Sequence, residues 1–284
     1  MIFRKVYYKF LILFISSILL FIFLTGCIKA NPDKNIVIFS FIDVDQGDSI
    51  LINYNGTSTL IDSGSEEYSS NVINYLKKEK IKSIDNLILT HPHEDHYGGM
   101  VPILMNFKAK NFYCPRMASN TEGFSDILYQ LKKDHSSLKF LKAGDTFVIN
   151  PDLKFFIVSP NRTCYDDGNN YSLVIKVVYK DTSFLLTGDA TKTSEEEILA
   201  KGFNINSDVL KVGHHGSSTS TSEEFLSKVS PSLAIISVGK RNSYGHPSVS
   251  TINRLGKFKI PYLSTSKEGN IILISNGNTI YRKT

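Results

Sequence analysis

Downstream of residue 35 the chain alternates short apolar runs with amphipathic stretches. Ile36 to Ile42 is apolar and extended. Ser49 to Ile52 and Thr57 to Ile61 read as a hairpin around Asn53-Tyr54-Asn55-Gly56, a turn composition. Tyr68 to Glu79 sets Val72, Ile73, Tyr75 and Leu76 at helical spacing, and Ile84 to Leu89 reads as a buried strand. Pro102 to Phe107 predicts a helix, Lys110 to Tyr113 a short strand and Ser125 to Lys133 a further helix. The second half repeats the style. Phe147 to Ile149, Lys154 to Val158, Leu173 to Tyr179, Thr182 to Thr187, Val209 to Val212 and Leu233 to Val238 read as strands, and two more close the chain. Ser194 with Glu197 three residues on is a capping-box pattern for a helix to Lys201. Thr221 to Val229 and Pro247 to Phe258 predict helices. Strands then helices, twice over, predict an α/β protein: two sheets packed together with helices outside, a four-layer αββα sandwich built as one domain over residues 36–284.

The first 35 residues differ in kind. Arg4, Lys5 and Lys9 precede an apolar stretch from Phe10 to Phe23, broken only by Ser16-Ser17, and Leu24-Thr25-Gly26-Cys27 follows. This resembles a bacterial lipoprotein signal. The resemblance implies a signal over residues 1–26, cleavage before Cys27, a lipid on its sulfur and a tether over 27–35. The protein would then be held at the cell membrane on its extracytoplasmic face. An uncleaved membrane anchor is the alternative, although Phe10 to Leu24 is short for a span. The formal charge of +5 falls when the signal is removed, because three of the 32 basic residues lie there against 27 acidic ones, leaving +2. No Lys/Arg block stands out as a nucleic-acid-binding segment, and Lys77-Lys78-Glu79-Lys80 and Lys132-Lys133 read as solvated helix faces. Cys114 and Cys164 remain once Cys27 is lipidated; their spacing predicts no bridge, and buried thiols are the simpler expectation.

The chemistry is concentrated after the strand Ile84 to Leu89, in Thr90-His91-Pro92-His93-Glu94-Asp95-His96-Tyr97-Gly98-Gly99. Three histidines and a carboxylate suit zinc, manganese or iron and exclude a calcium site. His91 and His93 are two apart and point the same way in extended chain, whereas Asp95 and His96 fall where the chain turns into the next helix. Two ligand pairs are thereby offered to two adjacent ions. Asp189 follows the apolar strand ending Thr187-Gly188, where a carboxylate can bridge both. His214-His215-Gly216-Ser217 follows the next strand; adjacent residues point oppositely in extended chain, so one of the pair is expected to ligate and the other to bind or protonate substrate. Asp62, in Leu60-Ile61-Asp62-Ser63-Gly64, is placed to orient a ligand histidine. His246, in Asn242-Ser243-Tyr244-Gly245-His246-Pro247, is a candidate acid or supporting group. Asn170 and Ser172, in Asn169-Asn170-Tyr171-Ser172, are substrate-binding candidates together with Ser217, although turn residues explain them equally well. Asp43-Val44-Asp45-Gln46-Gly47-Asp48-Ser49 lacks the rhythm of a calcium loop and reads as a structural turn near the site, and His135 as an exposed helix end.

Taken together these residues resemble the metallo-β-lactamase superfamily, and more finely the hydrolase domain of ComEC/Rec2 competence proteins. The matching pieces are Phe41 to Ser49, Leu60 to Gly64, Thr90 to Gly99, Asn169 to Val174, Leu185 to Ala190, Asp208 to Ser217 and Tyr244 to Pro247. The resemblance implies an αββα fold and a dinuclear hydrolytic site. Two ions, Zn²⁺ or Mn²⁺, would share Asp189 and a bridging hydroxide, with His91 and His93 on the first and Asp95, His96 and either His214 or His215 on the second. Two departures stand out. The family has Gly where Asp45 stands. Many superfamily members also carry a further ligand histidine before the bridging Asp, where this chain has only His135, out of context. The expected activity is phosphodiester hydrolysis, with single-stranded DNA among the candidate substrates and β-lactams less fitting. The competing expectation is a catalytically impaired surface lipoprotein that serves as a binding module.

Overall fold

The computed structural model describes residues 35–117 and 122–283. The expected signal, the expected tether through residue 34 and Cys27, the expected site of the lipid, lie outside the described residues. The elements run β1 (Val37–Phe41), β2 (Ile50–Tyr54), β3 (Thr57–Ile61), α1 (Ser69–Lys78), β4 (Ile84–Ile88), α2 (Glu94–Tyr97), α3 (Met100–Asn106), β5 (Ala109–Pro115), α4 (Glu122–Lys133), β6 (Ser137–Leu141), β7 (Thr146–Asn150), β8 (Leu153–Ser159), β9 (Val174–Tyr179), β10 (Thr182–Leu186), α5 (Lys192–Lys201), β11 (Val209–Lys211), α6 (Glu223–Val229), β12 (Leu233–Ile236), α7 (Val249–Lys257), β13 (Tyr262–Ser264), α8 (Thr265–Glu268), β14 (Ile271–Ser275) and β15 (Ile280–Arg282).

Strands covered on both faces, such as β12 and β14, read as near-continuous apolar runs. One sheet has the order β15-β14-β1-β2-β3-β4-β5-β6, the other β13-β12-β11-β10-β9-β8-β7. Alternate residues of β1 (Val37, Phe39, Phe41) point between the sheets, where they meet Ile175, Val177 and Phe184. The Phe39 and Phe184 rings stack with centroids 3.6 Å apart; burying one such ring is worth roughly 1.5–3 kcal/mol. The opposite faces of β2, β3, β4 and β5 present Leu51, Leu60, Leu87 and Phe112 to Val72 and Leu76 of α1, Ile103 of α3 and Ile127 of α4. On the other sheet Leu185, Leu210 and Ala234 pack against Ile198 of α5, Phe225 of α6 and Leu255 of α7. The three cores separate four layers, the αββα sandwich. Among the described residues no helix is long and apolar enough to cross a membrane.

Three local departures have physical causes. The first hairpin is tighter than its composition suggests: Tyr54 pairs with Thr57, and the turn is Asn55-Gly56 alone, with φ of 50° and 84°, the two-residue form that asparagine and glycine favour. β6 carries no legible pattern because four of its five residues are exposed. The helix expected to begin at Ser194 begins at Lys192 after Thr191. Ser194 is drawn inward to Asn170 Oδ1 at 2.8 Å, and Glu197 accepts from Tyr165 Oη at 2.6 Å, so neither residue caps.

Candidate metal centre

The topology brings the ends of β3, β4, β10, β11 and β12 to one rim, because β3, β4 and β5 run parallel, as do β10, β11, β12 and β13. Chemistry in such sheets gathers at the strands' carboxyl ends. There Asp95, His96, Asp189 and His215 each offer a ligand atom, all within 4.8 Å of one another. His96 Nε2 stands 3.4 Å from Asp189 Oδ1 and 4.0 Å from Asp95 Oδ2; His215 Nε2 stands 3.2 Å from Asp95 Oδ2 and 3.3 Å from Asp189 Oδ2. His91 Nε2 lies 4.0 Å from Asp189 Oδ2 and 3.1 Å from His93 Nδ1.

The imidazoles are pinned from behind. Asp62 is fully buried, and its Oδ2 accepts from Thr90 Oγ1 and contacts His96 Nδ1, each at 2.7 Å, while Oδ1 accepts from Thr90 N at 2.8 Å. With the Thr90 proton spent on Asp62, the 3.1 Å contact of Thr90 Oγ1 with His91 Nδ1 has the histidine donating. His215 Nδ1 donates to the Ser237 carbonyl at 3.0 Å. His91, His96 and His215 therefore all turn the lone pair of Nε2 inward, the arrangement that outer partners impose on metal-binding histidines. Asp62, for which an orienting role is expected, lies against the His96 imidazole.

The electrostatics are those of a site built around added positive charge. Burial disfavours the His96 cation, yet Asp189, Asp62 and Asp95 together outweigh it and hold its pKa well above the usual value. Burial likewise opposes, and Asp189 and Asp95 overcome, in His215, whose pKa is pushed up to about 9. His91, fully buried and beside His96, is held well below the usual histidine range. The fit to a metal rests on two atoms. His96 Nε2 and Asp189 Oδ1 are shut from solvent and have no hydrogen-bond partner among the described residues. Buried polar atoms left so are costly unless a bound group satisfies them. A set of imidazoles and carboxylates suits a first-row divalent ion.

The structure separates the two adjacent histidines. They are not extended: His214 (φ 50°, ψ 48°) and His215 (φ 54°, ψ 21°) both sit in the left-handed region, a strain of roughly 1–3 kcal/mol each that active sites retain. Their rings diverge as a result. His215 is buried in the cluster, and His214 is partly exposed, with Nε2 3.7 Å from Asp189 Oδ2 and its ring 5.5 Å from that of His246. Burial lowers the pKa of His214, and burial with the neighbouring His214 and His215 takes His246 down to about 4. Tyr244, exposed, stacks on His246.

The substrate-binding candidates are held by neighbouring protein groups. Ser172 is completely enclosed, and its hydroxyl accepts from Asp189 N at 3.0 Å, so it shapes the Asp189 turn and does not face the mouth. Asn170 is buried with Oδ1 engaged by Thr191 and Ser194, and Ser217 contacts Thr219. Gly168 comes so close to His93 that a Cβ there would lie 2.7 Å from Nε2. Asp45 and Gln46 are tied to the opposite loop, Asp45 Oδ1 accepting from Lys240 N and Gln46 Oε1 from Gly239 N, each at 3.2 Å. His135 is exposed beyond α4, as expected. Cys114 and Cys164 are unbridged; Cys114 is buried, but Cys164 is exposed, because it lies in the loop after β8 and not in a core.

One pair was not anticipated. Lys211, fully buried in β11, donates to Asp48 Oδ2 at 2.6 Å, while Asp48 Oδ1 approaches His215 Nδ1 to 3.9 Å and Asp48 N donates to Asp95 O at 3.3 Å. The signal was available: a lysine inside the apolar run Val209 to Val212 requires a buried carboxylate. Asp48 joins Asp62 and His96 in a second cluster; Lys211 takes Asp48 Oδ2, and Thr90 and His96 take Asp62, whereas Asp48 Oδ1 has no hydrogen-bond partner among the described residues.

Residues 42–240 match the model of the metallo-beta-lactamase superfamily, and the chain belongs to that superfamily. Within it the chain is a ComEC/Rec2-like member. It is 33% identical over 273 residues to ComE operon protein 3 of Bacillus subtilis (strain 168), covering 90% of this chain and 34% of that protein. It is 35% identical over 235 residues to Recombination protein 2 of Haemophilus influenzae, covering 81% of this chain and 28% of that one. The chain thus spans about a third of the length of these relatives. Among solved structures, the metallo-beta-lactamase fold protein YhfI from Bacillus subtilis superposes with a TM-score of 0.57 over 87% of this chain and all of that one, at 13% identity, a likeness of fold.

Proposed function

We propose that this protein is a metal-dependent phosphodiesterase or nuclease with a dinuclear site, held at the outer face of the cell membrane by a lipid on Cys27. The observation that carries the reading is the four-donor cluster with two enclosed, unpartnered atoms at the meeting of strand ends. Asp95, His96, Asp189 and His215 would hold one ion, and His91, His93 and Asp189 the other. When bound, the ions supply an acidified water and positive charge for the phosphoryl oxygens. The chain's own groups do the rest. Asp62, Thr90 and Ser237 fix the imidazole tautomers, and Ser172 fixes the Asp189 turn. His214, outside the cluster with Nε2 3.7 Å from Asp189 Oδ2, would donate a hydrogen bond toward the leaving oxygen, with its ring 5.5 Å from that of His246. A relative named for recombination makes single-stranded DNA the first polymer to test.

The second reading, a binding module with impaired chemistry, draws on the three-donor set of the first ion and the backbone of Gly168 closing beside His93. Hydrolysis of bis-p-nitrophenyl phosphate and of labelled single-stranded DNA separates the two. Metal-stripped protein should regain cleavage with Zn²⁺ or Mn²⁺, and Asp95→Ala should abolish it. Full occupancy without cleavage of either substrate overturns the phosphodiesterase reading, and absence of both metal and turnover supports the binding module.

A further inference from the structure

A cleft of about 450 Å³ opens on the same rim, lined among others by Arg116, Lys142, Arg162, Lys201, Leu141 and Phe203. Its position follows from the strand order. His91 follows β4; β5 lies next and β6 beyond, with Pro115 registered opposite Leu141. In the facing sheet Asp189 follows β10; β9 lies next and β8 beyond, with Ser159 registered opposite Val174. The ends of β6 and β8 meet where Ala143 N donates to Pro160 O at 3.0 Å. At 4.7–4.9 Å between strands, two strands place the cleft about 10 Å from the metal centre. The segment from Asn161 to Asp167 then runs from the cleft to Gly168, beside His93.

Of the four cations only Arg162 has a carboxylate partner in an ion pair among the described residues. Arg162 Nε is engaged by Glu197 at 2.5 Å. Arg116, Lys142 and Lys201 are exposed and, among the described residues, have no carboxylate partner in an ion pair. Asp145, three residues from Lys142, accepts from the backbone N–H of Lys142. The rest of the wall is apolar: Leu141, Ala143, Pro160 and the half-buried Phe203. Cations alone would suit any anion. Cations over an apolar wall, in a volume typical of small-molecule pockets, suit an anion that carries a flat apolar group.

We propose that this cleft holds one nucleotide of a single-stranded substrate, with its phosphate on Arg116, Lys142 and Lys201 and its base against Leu141 and Phe203, while a neighbouring phosphodiester lies at the metal centre. The proposal rests on the phosphodiesterase reading for the identity of the strand, but its contacts need no metal. It also explains why no basic block marks the sequence: each cation comes from a different segment, after β5, after β6 and at the end of α5.

The test is binding of fluorescein-labelled dT10 to the detergent-solubilised full chain in EDTA, followed by fluorescence anisotropy across a salt series. The Lys142→Glu/Lys201→Glu variant should bind at least tenfold more weakly. The salt slope should shrink by about 0.7, the worth of the one phosphate contact on a single strand. Lys142→Gln/Lys201→Gln should show the same change in slope, and circular dichroism melts should match wild type for both. An abasic decamer should bind more weakly than dT10. Unchanged affinity and slope in a folded variant would overturn the cleft, and equal binding of the abasic strand would overturn the place given to the base. Turnover of bis-p-nitrophenyl phosphate by metal-loaded wild type is read separately: turnover with charge-insensitive dT10 binding removes only the cleft, and charge-sensitive binding without turnover removes only the hydrolase reading.

Discussion

Asp62→Asn isolates the support of the metal centre from its ligands. The carboxylate is fully buried and takes three contacts, from His96 Nδ1, Thr90 Oγ1 and Thr90 N. Asparagine matches its shape, and its oxygen can still accept from Thr90 N. The amide –NH₂ then faces Thr90 Oγ1 and His96 Nδ1, two groups that now donate. Relief comes only if His96 becomes the acceptor at Nδ1 and carries its proton on Nε2, the atom turned to Asp189 and Asp95. The ligand lone pair is then lost unless the tautomer is restored against an unfavourable contact. Changes of this kind cost metal sites 10–100-fold in affinity, or about 1.4–2.8 kcal/mol. The assay is competition of the full-length protein with a fluorescent chelator for Zn²⁺, with melting curves in EDTA to confirm the fold. One ion should weaken by that factor while the other changes less. Undiminished affinity for both ions in a folded Asp62→Asn protein would refute the reasoning.

The divergence of His214 and His215 predicts a split. His215→Ala should lose an ion by metal analysis, whereas His214→Ala should keep its ions and lose about 10²–10³ in kcat, the usual worth of a hydrogen-bond donor to developing charge. Lys211→Met strands Asp48 as a buried charge and should cost about 3–5 kcal/mol in urea unfolding, with much of the loss recovered in Lys211→Met/Asp48→Asn. Burial pushes the Cys114 thiol up to about 12, and Cys164 is exposed; iodoacetamide at pH 8 should label Cys164 in the folded protein and reach Cys114 only after denaturation, as read by peptide mapping.

The layered fold was legible because every buried strand announces itself as an apolar run and every covering helix as a spaced set such as Val72, Tyr75 and Leu76. β6 was not, since an exposed edge strand has no burial pattern to print into its residues. At the candidate metal centre, the residues that the structure brings together were legible by type and strand-end placement. The choice between His214 and His215 was not, because it depends on two successive left-handed residues that the extended-chain argument does not contain. Ser172 and Asn170 were assigned to substrate on polarity alone. Their hydrogen bonds to Asp189 N and to Thr191 and Ser194 are long-range contacts, with no trace in local spacing. The basic cleft is invisible for the same reason, its cations being assembled by topology.

The most direct test of the account is the metal content of the purified full chain, measured by mass spectrometry beside Asp189→Ala, with bis-p-nitrophenyl phosphate turnover recorded on the same samples. The account predicts two divalent ions per wild-type chain with turnover, and loss of ions and turnover together in Asp189→Ala. A folded wild-type protein that stays metal-free in excess Zn²⁺ and Mn²⁺ and cleaves nothing would contradict it.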